Sequence, residues 1–131
     1  MSETDPSSPS DAFGRVVCLF GALAVILGAF GAHALRDRFD TREMEWWKTG
    51  VLYHMVHTLA ALWVARWVAE QRARAAVAGI SFLIGILFFS GSLYLMALTG
   101  ETKLGMVTPI GGLAFIVGWV LAATVGRPRD H

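Results

Sequence analysis

The sequence predicts an all-α integral membrane protein, a four-helix bundle with a short interfacial helix between spans one and two. Three observations carry this expectation. Four apolar stretches, 16–35, 51–68, 75–98 and 109–125, match or approach the length needed to cross a hydrocarbon core about 30 Å thick. The 131-residue chain is 55% hydrophobic and 16% charged, with a mean hydropathy of +0.54, more apolar than a soluble domain of its size. The polar side chains within the stretches are also one-sided. With spans that alternate in direction, His33, His54, His57, Ser90, Ser92, Tyr94 and Thr108 come near the same membrane face. Polar groups in lipid are expensive, so a one-sided cluster points to a site rather than to scatter.

The opening MSETDPSSPSDA (1–12) is acidic and rich in Ser and Pro, and reads as a disordered tail. A single membrane domain follows over 13–126, with spans near 14–35, 49–69, 75–98 and 109–126, and a polar tail over 127–131. The first stretch also matches a signal-peptide core, with Ala32-His33-Ala34 in the A-x-A cleavage pattern. Its leader carries Glu3, Asp5 and Asp11 before a single Arg15, whereas a signal peptide starts basic, so the segment is read as a retained span.

In that span, helical spacing puts Gly21, Ala24, Gly28, Gly31 and Ala32 on one face, with Leu19, Leu23, Ile26 and Phe30 opposite. Ala24, Gly28 and Ala32 form a small-xxx-small ladder, which allows close helix approach in lipid. Cys18, the chain's one cysteine, rules out an internal disulfide and reads as a small buried hydrophobe. In the first connection, Asp40 and Glu43 read as a capping box that starts a helix near Thr41. Trp46 and Trp47 then suit a membrane interface, and Gly50 offers a bend into span two.

In span two, Gly50, His54, His57, Ala61 and Ala65 share a packable face, with Val56, Leu59, Trp63 and Trp67 opposite. Arg66 lies near the span's end, where it can snorkel. Span three ends in FFSGSLYLMALTG and divides its polar residues between two sides, Ser90 with Tyr94 and Ser92 with Ser81. Thr108-Pro109 reads as an N-cap followed by proline at the first helical position of span four, where Ala114, Gly118 and Ala122 form a second ladder.

Charge excludes one partner class and orients the chain. With 11 Lys+Arg against 10 Asp+Glu, there is no basic footprint for nucleic acid. The side holding both termini carries Arg15, Arg66, Arg72, Arg74, Arg127 and Arg129, six cations against five on the other, which favours cytoplasmic termini.

The segments GAFGAHAL (28–35), His57-Thr-Leu-Ala-Ala, FSGSLYLMALTG (89–100) and TPIGG with the later Gly118-Trp119 occur in an order that resembles the domain-of-unknown-function 423 family, YgdD-like small four-span membrane proteins. The resemblance covers roughly residues 14–125 and involves every span. It implies a compact membrane bundle and no particular activity. Position by position it reaches His33, His57, Ser90, Gly91, Ser92, Tyr94, Thr108, Pro109, Gly111 and Gly112, while His54 lies outside the family pattern.

Several chemistries remain open on these residues. His54 and His57 are an i, i+3 pair, and His33 stands at similar depth, so three imidazoles could hold zinc or copper, or two could ligate haem. Interhelical hydrogen bonding accounts for the same residues without a cofactor, and no cofactor is assigned. At the start of span four, free N–H groups with Gly111 and Gly112 could seat a small anion or lipid head group, with His33, His57, Ser90, Ser92, Tyr94 and Thr108 as polar contacts. A capped helix with packing glycines is the competing account. A dyad of Ser90 or Ser92 with a histidine lacks an orienting carboxylate, and FSGSLY is not G-x-S-x-G, so no catalytic residue is assigned. Two function classes follow. One is a binding or transport module with a polar pocket at one membrane face. The other is an assembly protein whose ladders pack against further copies or a larger complex. In both, the lipid bilayer is the surrounding partner and a homo-oligomer is plausible.

Overall fold

A computed structural model describes residues 8–70 and 72–126. The tail at 1–7 and the polar tail at 127–131 lie outside the described residues. Among the described residues every regular element is helical: α1 (Pro9–His33), α2 (Thr41–Ala65), α3 (Arg72–Gly85), a π turn (Ile86–Ser90), α4 (Gly91–Thr99), a 3₁₀ turn (Thr102–Met106) and α5 (Thr108–Ala122). α3, the π turn and α4 run on as one rod, so four rods make up the molecule.

Local sequence accounts for the boundaries. α1 starts earlier than the sequence suggests, because Ser8 caps it through the Asp11 amide at 3.3 Å and Pro9 occupies the first turn. Residues 9–12 are therefore helix rather than tail. At α2 both halves of the capping box form: the Glu43 amide donates to Asp40 Oδ1 at 2.7 Å and the Asp40 amide to Glu43 Oε2 at 3.0 Å. That helix continues unbroken through Gly50, so no separate interfacial helix stands before it. α4 ends at Gly100, whose φ of 71° turns the chain where a side chain would be strained.

Close approaches at glycine set the helix order and direction. A Cβ at Gly21 would meet Thr58, one at Gly28 Val51, and one at Gly31 the indole of Trp47, so α1 and α2 are antiparallel. Gly50 lies against Tyr94, while Gly79 faces Phe13 and Val64, which runs the third rod antiparallel to α2. Gly111 abuts the backbone of Phe88 and Phe89, Gly85 the ring of Phe115, and Gly118 the ring of Phe82, which runs α5 antiparallel to α3. α2 is thus central, packed on α1, α3 and α4.

The ladders are taken up only in part inside the monomer. Ala24 is buried and Gly28 packs on Val51 of α2, while Ala32 is exposed; Gly118 and Ala122 are buried against the third rod and Ala114 is half-buried. Helical periodicity identified these packable faces but not their partners.

The main core gathers Val17, Ala61, Val64, Phe82, Ile86 and Phe115 at mid-height. Large apolar side chains point outward on every rod, among them Leu19 (70% exposed), Leu59 (60%), Leu87 (60%) and Leu113 (64%), a belt that only a hydrocarbon surrounding tolerates. Three segments, Pro9–His33, Ala73–Thr99 and Thr102–Ala122, are long and apolar enough to cross a membrane. α2 matches α1 at 25 residues but is diluted by Lys48, Tyr53, His54, His57 and Thr58. Cys18, expected to be buried, is exposed on the outer side of α1.

Candidate functional site

The candidate residues do not assemble as one polar cluster. His33 is the last residue of α1 and is exposed, because the helix ends there and its side chain leaves the seam with α2. Among the described residues no three His, Cys, Asp or Glu side chains converge to hold a metal, so the expected set of His33, His54 and His57 is not brought together.

The two buried histidines are engaged one by one. His57 Nδ1–H donates to the Tyr53 carbonyl at 2.7 Å, and Nε2 accepts the Trp119 indole N–H at 3.1 Å. This network defines the neutral Nδ1–H tautomer and leaves no free lone pair for a metal. The imidazole also lies flat on Phe115, with centroids 3.5 Å apart and planes within 13°. His54 is 1% exposed, and its Nδ1 stands 2.9 Å from the Tyr94 hydroxyl. Its Nε2 is enclosed and has no hydrogen-bond partner among the described residues, while the Phe20 ring packs edge-on against the imidazole with centroids 6.2 Å apart.

The hydroxyls are likewise paired within the bundle. Ser90 Oγ, fully buried, donates to the Gly50 carbonyl at 2.7 Å. Ser92 Oγ donates to the Phe89 carbonyl at 2.9 Å and lies 2.6 Å from Thr108 Oγ1. Neither serine meets a histidine. Val107 is the N-cap of α5 and Thr108 its first residue, one position earlier than the sequence suggests, and the Thr108 hydroxyl is turned to Ser92 rather than capping the helix. Gly111 is sealed by the backbone of the π turn, so the expected anion seat is filled by protein. At Gly112, by contrast, a Cβ would meet only Phe89 Cδ2, at 3.9 Å.

Gly112 opens onto a groove of about 850 Å³ between α2 and α5. Its floor is aromatic, formed by Tyr53, His57, Phe89, Phe115 and Trp119, and its rims are Leu52, Val56, Leu113 and Ile116. The volume is that of a small-molecule site. The π turn helps to build it, since the Phe89 ring that it presents lies 4.4 Å from Tyr53 and 5.4 Å from Phe115, centroid to centroid. The Tyr53 hydroxyl has no hydrogen-bond partner among the described residues, and the residue is 39% exposed and lines the groove. Of the sequence-stated candidates, only His57 and Gly112 line this groove.

Comparison with known proteins fits this architecture. The family described as "Protein of unknown function (DUF423)" matches residues 27–112. The chain belongs to this family. It is 41% identical over 114 residues to the UPF0382 membrane protein YwdK of Bacillus subtilis, covering 82% of this chain and 92% of the relative. A UPF0382 membrane protein of Haemophilus influenzae is 42% identical over 108 residues, covering 82% and 87%. The UPF0382 inner membrane protein YgdD of Escherichia coli is 41% identical over 115 residues, covering 82% and 86%. No solved structure matches. The chain is accordingly a bacterial-type membrane protein.

Sequence reasoning missed Tyr53, Phe89, Phe115 and Trp119. The available signal was the i, i+4 spacing of Tyr53 and His57, which puts an aromatic ring and an imidazole on one helix face.

Proposed function

We propose that the chain is a four-span module, with both termini cytoplasmic, that binds a lipid-like ligand in the groove between α2 and α5. The hydrocarbon of the ligand lies along Leu52, Val56, Leu113 and Ile116, and a single acceptor on it, an ester or ring carbonyl, takes the Tyr53 hydroxyl proton. The carrying observation is an apolar groove with one unpartnered hydroxyl at its wall. In hydrocarbon such a donor costs free energy until an acceptor reaches it. The central position of α2, with Leu52 and Leu59 facing outward, supports counting it as the fourth span.

This reading replaces a polar head-group pocket with an apolar one, because the hydroxyls of Ser90, Ser92, Tyr94 and Thr108 and the His57 imidazole are already paired within the bundle. It is also favoured over an assembly role, because Ala24, Gly118 and Ala122, three of the six ladder residues, are buried within the bundle and only Ala32 is exposed.

Gly112→Leu provides the test. A Cβ at Gly112 meets only Phe89 Cδ2, at 3.9 Å, so a larger side chain there is expected to occupy the groove and exclude the ligand, with a circular dichroism melt to verify the fold. Native mass spectrometry of detergent-purified protein is expected to show a retained lipid-like adduct on wild type that is absent from Gly112→Leu and weakened in Tyr53→Phe. Equal adducts on all three proteins would reject the groove as the site.

A further inference from the structure

A second cavity, of about 770 Å³, lies at the opposite end of the molecule, between the start of α1 and the end of α2. Its character differs from that of the aromatic groove. Arg15 on α1 and Arg66 at the C-cap of α2 both line it, with Cys18, Leu19 and Leu62 on the side toward the hydrocarbon. Neither guanidinium has a carboxylate partner among the described residues, and Arg66 has only the Trp67 ring, 5.9 Å from its Cζ. The single acid of the cavity, Asp11, is taken up locally, accepting from the Ser8 hydroxyl at 2.7 Å. Gly14 leaves the wall open, since a Cβ there would meet nothing within 4 Å.

From this arrangement we infer that the Arg15–Arg66 cavity is a binding site for the phosphodiester head group of an anionic phospholipid, with one acyl chain descending over Leu19 and Leu62. Guanidinium forks match phosphate oxygens, and two of them lining one cavity, from α1 and from the end of α2, offer a seat that one snorkelling arginine does not. The depth is consistent: Arg15 lies one turn above Leu19, and Arg66 one turn beyond Leu62, so the cations stand at head-group level while the leucines stand in hydrocarbon. The cavity carries two cations against one acid, which selects an anionic head group over a zwitterionic one. It also lies on the side of the bundle that holds the start of α1, the end of α5 and the α2–α3 connection. Anionic lipid would then occupy the cytoplasmic leaflet beside it.

The experiment is a native mass spectrometry titration of the full chain in neutral detergent with phosphatidylglycerol, phosphatidylcholine and phosphatidylethanolamine. Wild type is expected to bind one phosphatidylglycerol about tenfold more tightly than either zwitterionic lipid. Arg15→Gln and Arg66→Gln are each expected to lose about fivefold, the effect of one cation near a charged surface. Gly14→Leu, which fills the cavity without changing a charge, is expected to lose the preference as well. Lys48→Gln at the other end and Gly112→Leu in the aromatic groove are expected to keep it, which separates this site from the groove. A Cβ meets nothing within 4 Å at Gly14 and only Phe89 at 3.9 Å at Gly112, and far-UV circular dichroism melts verify that each variant is folded. Equal affinity for the three lipids would overturn the inference, as would wild-type binding by the double variant Arg15→Gln/Arg66→Gln. Displacement of phosphatidylglycerol by millimolar inorganic phosphate would assign the seat to free phosphate and overturn the lipid reading.

Discussion

Gly111 and Gly112 are neighbours in sequence, and the structure predicts opposite outcomes for the same substitution at the two positions. In Gly111→Ala the new methyl would collide with the Phe89 amide nitrogen and stand 2.7 Å from Phe89 Cβ and 2.8 Å from the Phe88 carbonyl carbon. Two of these three atoms are backbone, so no rotamer change relieves the clash. Carbon atoms in contact prefer about 3.5–4.0 Å, so α5 must withdraw from the π turn by roughly 1 Å. Overpacking of this kind costs about 1–3 kcal/mol, and contact with backbone puts the cost near the upper end. Replacing glycine within a helix returns about 0.5–1 kcal/mol, leaving a net loss of about 2 kcal/mol. For a domain of this size that lowers Tm by roughly 8 °C. In Gly112→Ala the methyl makes ordinary contact with Phe89 at 3.9 Å, and only the helix gain remains. Thermal melts of both variants in one detergent, followed by circular dichroism, are expected to place Gly112→Ala at or above wild type and Gly111→Ala well below it. Equal melting temperatures, or the reverse order, would refute the packing of α5 on the π turn.

Other consequences follow from the buried hydrogen bonds. Ser90→Ala removes the bond to the Gly50 carbonyl and should cost about 0.6–1.7 kcal/mol, the range seen for interhelical bonds in membranes, read as a drop in Tm. Tyr94→Phe leaves His54 Nδ1 without its partner and should cost about 1–3 kcal/mol; a double-mutant cycle with His54→Phe should show that the two losses are not additive. Trp47→Phe deletes the N–H that donates to the Leu27 carbonyl at 2.9 Å and should lower stability by about 1 kcal/mol or more, whereas Trp46→Phe, on the half-buried neighbour, should change it less.

The outline of the bundle was legible because helical spacing is a strong signal. Leu19, Leu23, Ile26 and Phe30 do face outward, and Gly50, His54, His57, Ala61 and Ala65 do face inward. Capping chemistry at Asp40 and Glu43 is local, so it was readable as well. What failed was what depends on a partner helix. Trp47 looked interfacial beside Trp46, yet it is 3% exposed, because Gly31 leaves room for its indole against α1. The ladders looked available for assembly, since periodicity names a face and not the surface that meets it. The polar residues looked like one cluster because depth alone was considered. In the bundle they divide into separate pairs, His54 with Tyr94, His57 with Trp119, Ser90 with Gly50 and Ser92 with Thr108. The π turn has no marker in the sequence, although it positions Phe89 in the groove and lets Gly111 approach.

The central claim is that the groove between α2 and α5 holds a lipid-like ligand. The most direct measurement is photocrosslinking in native membranes with a lipid that carries a diazirine in its acyl chain, followed by peptide mapping. The account predicts saturable labelling concentrated on the groove-lining stretches 52–57 and 109–119, lost in Gly112→Leu, with only weak labelling of the exposed face of α1 at Leu19, Ile26 and Phe30. Labelling spread evenly over all outward apolar side chains, and unchanged by Gly112→Leu, would contradict it.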